Sequence, residues 1–439
     1  MSQCKMFHLA WFTNARPHGW VPGGGADPWA GGDVEERSWA SGEFLMDMCR
    51  AMERACFDYI MLEDHVATPA TDHMEARLDP LPLLPLLGYV TSKLGVVATL
   101  STSFWPPYLL ARMTATVDHL TNGRSGWNVV TTSEDYAAQA FGLGDKQPPH
   151  DERYIRAEEF VELVKKLWDG WDEGSVIVDR STGRYVDRAK VHDFDFEGKY
   201  FKGKGPLNVA RSPQGRPVIC QAGGSPTGRE FSAKHADTVL LSSDGANSVQ
   251  VLKEFRDDLR ARAAANGRNP DDIKVLYMVT PVVADTDEQA EAIFTKRFTL
   301  TEAKVQSFVK GIGSYFSIDF TKYDLDKPLP IEEMRTEGHQ TTLENFLRHA
   351  DGGRRTFREM IARFRPTSLD LVGSLETVAG KMEAAMAEIG GDGFLIQSRP
   401  LTRRYITEIT EGLVPVLQRR GLTRSFYKHN YLREHLLEF

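Results

Sequence analysis

Along this chain, short runs rich in β-branched and aromatic residues alternate with longer runs whose apolar residues recur every three or four positions. The strand-type runs fall at 6–12 (MFHLAWF), 57–62, 94–99, 125–130, 217–221, 238–241, 274–280 and 394–397. Helical spacing occupies 43–56, 107–120, 152–170, 226–236, 247–265 and 375–389. Such alternation builds a parallel sheet covered by helices. Eight strands in succession predict an α/β fold of the (β/α)8 TIM-type barrel class with long loop insertions, because an open sheet of this length usually carries an edge strand or a reversal of order. A doubly wound sheet is the alternative.

Three segments break the alternation: about 13–40, 172–215 and 309–367. They are too long for ordinary connections, and are read as insertions in a single barrel domain covering 1–439. The first and third follow strands, so they belong to the face where barrel active sites sit and are expected to act as lids. In the third, Gly311 and Gly313 are expected to hinge, with Tyr315, Phe316, Phe320 and Tyr323 as aromatic area that closes over the mouth. The run at 81–89 is apolar but interrupted by proline and glycine, and no apolar stretch reaches the roughly 18 residues of a membrane span. With no secretory pattern at Met1–Met6, a cytoplasmic location is expected. The tail, 420–439, is expected either to wrap a neighbouring subunit or to pack on its own barrel.

The 53 Lys plus Arg against 61 Asp plus Glu give a net charge of −8, which excludes nucleic acid as the main partner. Four cysteines without a CxxC pair suggest neither zinc nor a disulfide framework; Cys49 and Cys56 share an apolar helix face with Leu45 and Met52. His65, Asp72 and His73 are metal-ligand types. Metal-binding barrel hydrolases usually carry an HxH pair at the first strand, where this chain has His8-Leu9-Ala10, so no metal site is expected. The glycines at 23–25 precede no GK[ST] and read as a flexible lid.

Gln221-Ala222-Gly223-Gly224-Ser225-Pro226-Thr227-Gly228 closes one strand and opens a helix. Backbone N–H groups, the Ser225 hydroxyl and the positive helix end there form an anion cradle, although a plain N-cap has the same sequence. In His150-Asp151-Glu152-Arg153-Tyr154, His150 and Tyr154 lie one helical turn apart and can face one anion, or simply cap and edge the helix. Further polar residues follow strands at Phe12-Thr13-Asn14, Glu63-Asp64-His65, Thr99-Leu100-Ser101-Thr102 and Trp127-Asn128-Val129-Val130, where a barrel gathers contacts for a flat heterocycle.

These runs, with Val97-Ala98-Thr99-Leu100-Ser101-Thr102, Pro107-Tyr108-Leu109-Leu110-Ala111-Arg112, Asp118-His119-Leu120, Gly123-Arg124 and Gly126-Trp127-Asn128-Val129-Val130-Thr131, resemble the bacterial-luciferase-like flavin monooxygenases. The likeness spans about residues 6–420 and is to the branch containing the nitrilotriacetate, dibenzothiophene-sulfone and dimethyl-sulfide monooxygenases. It implies the oxygenase component of a two-component system, using O2 and reduced FMN from a separate NAD(P)H:flavin reductase, with no NAD site of its own. By the same resemblance, Asp64, Thr99 and Asn128 lie near the flavin ring, while His150, Tyr154 and Ser225 hold the phosphate with the Gly224 amide. Glu63 departs from the pattern, since many relatives have a small residue before the aspartate.

Phe7, Trp11, Phe12, Trp20, Phe104 and Trp105 are expected to wall the cavity. His18 and His65, carried by strand-end loops, are the expected catalytic hydrogen-bond donors, ahead of His8. A homodimer or homotetramer is expected. The substrate is expected to be a small organosulfur, haloaromatic or amine-type molecule. Setting Arg16, Arg37 and Arg335 against the many aromatics of the lids, an apolar or aromatic one is favoured. A deazaflavin-dependent hydride-transfer dehydrogenase and a non-catalytic flavin carrier are the alternative functions.

Overall fold

The computed structural model describes residues 6–16, 20–21, 25–26, 40–67, 76–241, 249–316, 318–336, 340–364, 367–397 and 401–439. Eight parallel strands close a barrel in sequence order: β1 (His8–Asn14), β2 (Tyr59–Glu63), β3 (Gly95–Ser101), β4 (Ser125–Val130), β5 (Val218–Gln221), β6 (Thr238–Leu241), β7 (Lys274–Val279) and β8 (Gly393–Ile396), the last pairing with β1 through His8 and Gly393. The outer ring includes α1 (Glu43–Arg54), α2 (Pro80–Tyr89), α3 (Pro107–Leu120), α4 (His150–Trp168), α5 (Pro226–His235) and α6 (Val249–Ala265). The sequence pattern anticipates every strand and all of these helices except α2. That helix starts on Pro80 behind Asp79, whose carboxylate accepts the Leu81 N–H at 2.8 Å, and contains Pro85. Prolines in a first turn cost no hydrogen bond, and an almost wholly apolar segment hides its period.

Period-2 alternation sorts the strand residues between two cores. Leu9, Trp11, Trp127 and Val129 point out, under the helices. Ala10, Tyr59, Met61, Val97, Val218, Cys220, Leu276 and Leu395 point in and fill the barrel. At Gly126 the interior is so tight that a Cβ would stand 3.0 Å from both the Val218 carbonyl and the Val97 side chain. Two residues further along β3 and β4, the same inward parity lifts Thr99 and Asn128 to the mouth.

The tail packs on its own barrel. Leu432 and Leu436 join the interior cluster from below, and the Phe439 ring stacks on His8 at 4.4 Å. Arg424 donates to Asp58 Oδ1 at 2.6 Å, both side chains being about 2% exposed. His8 Nδ1 lies 3.0 Å from the same carboxylate oxygen. Burial raises the Asp58 pKa, but Arg424 and then His8 outweigh it and hold the carboxyl well below its usual range. His8 therefore serves the floor of the barrel, not the mouth.

Two further expectations change. Phe7 packs edge-on to Phe394, and Trp11 lies against Phe57 and Tyr405 in the outer core, so neither walls the mouth; Phe12 does. Gly311 and Gly313 lie inside helix α8 (Glu302–Phe316), which follows α7 (Asp287–Phe298). A Cβ at Gly313 would come within 2.8 Å of the Ile318 carbonyl, so close approach, not hinging, explains that glycine. Phe316 and Phe320 are fully buried with Phe346 and Phe357 in a core private to the insertion, which is thus a packed cap with helices α9 (Gln340–Arg348) and α10 (Phe357–Arg363). Tyr323 packs against that core, and the Tyr315 side chain lies outside the described residues.

Candidate active site at the barrel mouth

One cavity of about 690 Å3 opens between the strand C-termini and the helical cap, within the size range of small-molecule sites. Asp64, His65, Thr99, Asn128, His150, Tyr154, Gly224 and Ser225 all line it. His18, Asp72 and His73 lie outside the described residues, as does the Trp20 side chain. Phe104 stacks on Phe141 at 4.3 Å and Trp105 packs against the outer core, so neither is a cavity wall.

On the β4–β5 side, Ser225 is the N-cap of α5: its hydroxyl oxygen accepts the Gly228 N–H at 3.1 Å and stands 3.4 Å from His150 Nε2. Both residues are 8% exposed. The far ring nitrogen of His150 is 2.9 Å from Asp151 Oδ1, which also accepts from Thr227 at 3.0 Å. His150 lowers the Asp151 pKa through that bond, and the carboxylate in turn fixes the ring with Nε2 toward the cradle. Arg229 pins the Gly224 carbonyl at 2.9 Å while pairing with Asp258 at 3.0 Å. A Cβ at Gly224 would stand 2.6 Å from Thr341 Oγ1, so only glycine lets the cap helix α9 approach. Tyr154, whose hydroxyl accepts from Gln221 at 3.3 Å, has its pKa raised by burial; it is a neutral phenol able to donate.

On the β2–β4 side, Asn128 donates to Thr99 Oγ1 at 2.9 Å, and its buried Oδ1 has no hydrogen-bond partner. An orphaned acceptor at this depth costs free energy unless a ligand N–H or a water meets it. Glu63 accepts from Asn14 at 2.9 Å and lies 2.9 Å from His65 Nε2. Glu134 stands 3.7 Å from His65 Nδ1, so the imidazole is held between two carboxylates. Burial, followed by repulsion from Asp79, pushes the Asp64 pKa up to about 7 despite His65 and Arg77. Near neutral pH this carboxyl is divided between a hydrogen-bond donor and an anion, as acid–base groups require.

Phe316, expected to close over the mouth, does line the cavity. Sequence reasoning missed Glu134, Thr341 and the cap aromatics Phe308 and Phe364, which also line it. They come from loops and an insertion whose approach to the mouth no local pattern encodes. Arg153 lines it too; its spacing of three from His150 was the available signal. Buried Cys49, Cys56 and Cys220 have thiol pKa values raised chiefly by burial, so they are core residues, not nucleophiles.

A family model for luciferase-like monooxygenases matches residues 8–393. The chain is 36% identical over 404 residues to N-acetyl-S-(2-succino)cysteine monooxygenase of Bacillus subtilis (strain 168), covering 90% of this chain and 89% of that protein. It is 34% identical to nitrilotriacetate monooxygenase component A of Aminobacter aminovorans, with 90% and 89% covered. Among solved structures, a riboflavin lyase with modified FMN and riboflavin superposes with a TM-score of 0.84 at 32% identity, covering 99% of this chain and 96% of that one. The chain belongs to the luciferase-like monooxygenase family, and is an oxidoreductase of the monooxygenase class.

Proposed function

We propose that the cavity takes reduced FMN from a separate NAD(P)H:flavin reductase and that the chain is the oxygenase component acting on a small organic substrate with O2. The observation that carries this reading is the joint presence, in one cavity, of an anion cradle at Ser225 and His150 and a buried acceptor at Asn128 that lacks a partner. A flavin mononucleotide has both a phosphate and a ring edge with an N–H donor. When bound, reduced FMN supplies the electrons that activate O2.

His150, Tyr154, Ser225 and the N-terminus of α5 would hold the phosphate, and Thr99 and Asn128 would orient the ring edge. Asp64 and His65 can hold or give a proton beside it. The cap aromatics and Phe12 exclude water from the reacting atoms. That the nitrilotriacetate relative is one named component of its system supports a second protein here. No helix among the described residues is long and apolar enough to cross a membrane, which agrees with the proposed cytoplasmic setting.

The test is NADH oxidation in air. The chain with FMN is expected to oxidise no NADH above the protein-free blank until a flavin reductase is added. With the reductase, one oxygen atom from labelled O2 is expected in a product drawn from a panel of sulfides, amines and haloaromatics. NADH oxidation by this chain alone would contradict the two-component reading.

A further inference from the structure

The cavity holds a cation that the flavin reading does not use. Arg297 lies in the last turn of α7 and lines the cavity beside Thr280 and Gln397, which follow β7 and β8. Its guanidinium sits over the Tyr405 ring at 5.9 Å. Nη1 is buried without a hydrogen-bond partner, and among the described residues no carboxylate forms an ion pair with the side chain. Tyr405 cannot serve as an anionic partner: burial keeps it a neutral phenol, and its hydroxyl donates to the Pro281 carbonyl at 3.0 Å. A guanidinium N–H left unmatched inside a protein is costly, and an anionic group with two oxygens is the partner its planar fork fits best.

Position and surroundings say what that partner is attached to. In the closed ring Ser225 follows β5 and His150 follows β4, while Thr280 and Gln397 follow β7 and β8, so two to four strands separate the Arg297 side of the cavity from the phosphate cradle. Phe294 is three residues before Arg297 on the same helix face, and Phe308 and Phe364 complete an aromatic surface around it. Glu63, Asp64 and Glu134 line the β2–β4 wall, where they repel an anion and leave the Arg297 end as the favourable place for one.

We propose that Arg297 anchors a carboxylate of the substrate, whose apolar or aromatic body lies among Phe294, Phe308 and Phe364. This rests on the flavin reading in one respect, the assignment of the β4–β5 side of the cavity to the cofactor phosphate. It adds a carboxylate to the apolar or aromatic substrate expected from the lids, because Arg297 lies on α7, outside the segments 13–40 and 309–367 read as lids.

The probes are 4-phenylbutanoate and its near-isosteric amide, 4-phenylbutanamide, titrated calorimetrically into full-length protein saturated with oxidised FMN, so that no turnover occurs. Wild type is expected to prefer the acid by about 10- to 100-fold. Arg297→Met is expected to abolish that preference while leaving amide and FMN affinities within about twofold, and Arg297→Lys to retain part of it. Equal wild-type binding of acid and amide, binding of neither at millimolar concentration, or equal loss of both in Arg297→Met overturns the proposal. Weakened FMN binding in Arg297→Met overturns it as well, since Arg297 then serves the cofactor phosphate. Should Arg297→Met fail to fold, the wild-type ratio alone decides. Loss of FMN binding in wild type refutes the flavin reading separately, because the acid-to-amide ratio is also measured without FMN.

Discussion

Replacing Ser225 and His150 together by alanine is expected to lower the affinity for reduced FMN by about 100- to 10,000-fold, since each hydrogen bond to a charged phosphate is worth roughly 10- to 150-fold. The two groups stand 3.4 Å apart, so the double loss should fall short of the product of the single ones. Asp64→Ala is expected to cost less than about tenfold, because a neutral or half-ionised carboxyl at the ring end makes a weaker contact. Ser225 also caps α5, and loss of that cap costs about 1 kcal/mol of stability by itself. Riboflavin, lacking the phosphate, separates the effects: its affinity should hardly change in the double variant. An equal loss for riboflavin and FMN would mean that the site has collapsed, not that a phosphate contact has gone.

The second large effect lies at the opposite end of the barrel. Arg424→Met leaves the Asp58 carboxylate buried with the His8 imidazole and the Leu9 N–H against it but without its arginine, and breaking a buried pair of this kind costs about 3–5 kcal/mol. Arg424 also donates to the His435 carbonyl at 2.8 Å, so the tail plug loosens with it. The sign of the pH dependence follows from the direction of the shift. A carboxyl whose folded pKa lies below its unfolded value of about 4 adds stability that is present above pH 4 and lost as pH falls through the folded pKa. With Arg424 gone that contribution shrinks, so acid unfolding should begin at higher pH. Urea midpoints of wild type and variant, measured from about pH 2 to pH 8, check both statements. A change under about 1 kcal/mol at neutral pH would show that the plug is not held by this pair.

The barrel was legible because strand composition and helical spacing are local signals, and eight of them in succession leave few architectures. The site was legible for a related reason: a barrel brings strand ends together, so Thr99, Asn128 and the Ser225 turn needed only to be placed on their strands to be placed in one cavity. What was hidden depends on distance. Pro80 and Pro82 masked α2 although a first turn accommodates proline, and Pro85, inside the helix, added a breaker signal that the apolar packing of the segment overrode. The glycines at 311 and 313 carried no sign that a helix with its own aromatic core surrounds them. Glu134 and Arg297 reach the mouth from a loop and from helix α7, whose docking is decided by tertiary packing, and His8 was drawn to the floor by Asp58 and Phe439.

The most direct test of the central claim is an anaerobic titration of wild-type protein with reduced FMN, repeated with reduced riboflavin. Saturable binding of reduced FMN, tighter than that of the oxidised form and at least about tenfold tighter than that of reduced riboflavin, is the expected result. Equal affinity for the two reduced flavins, or no binding of either, would contradict the assignment of the Ser225–His150 cradle to a flavin phosphate.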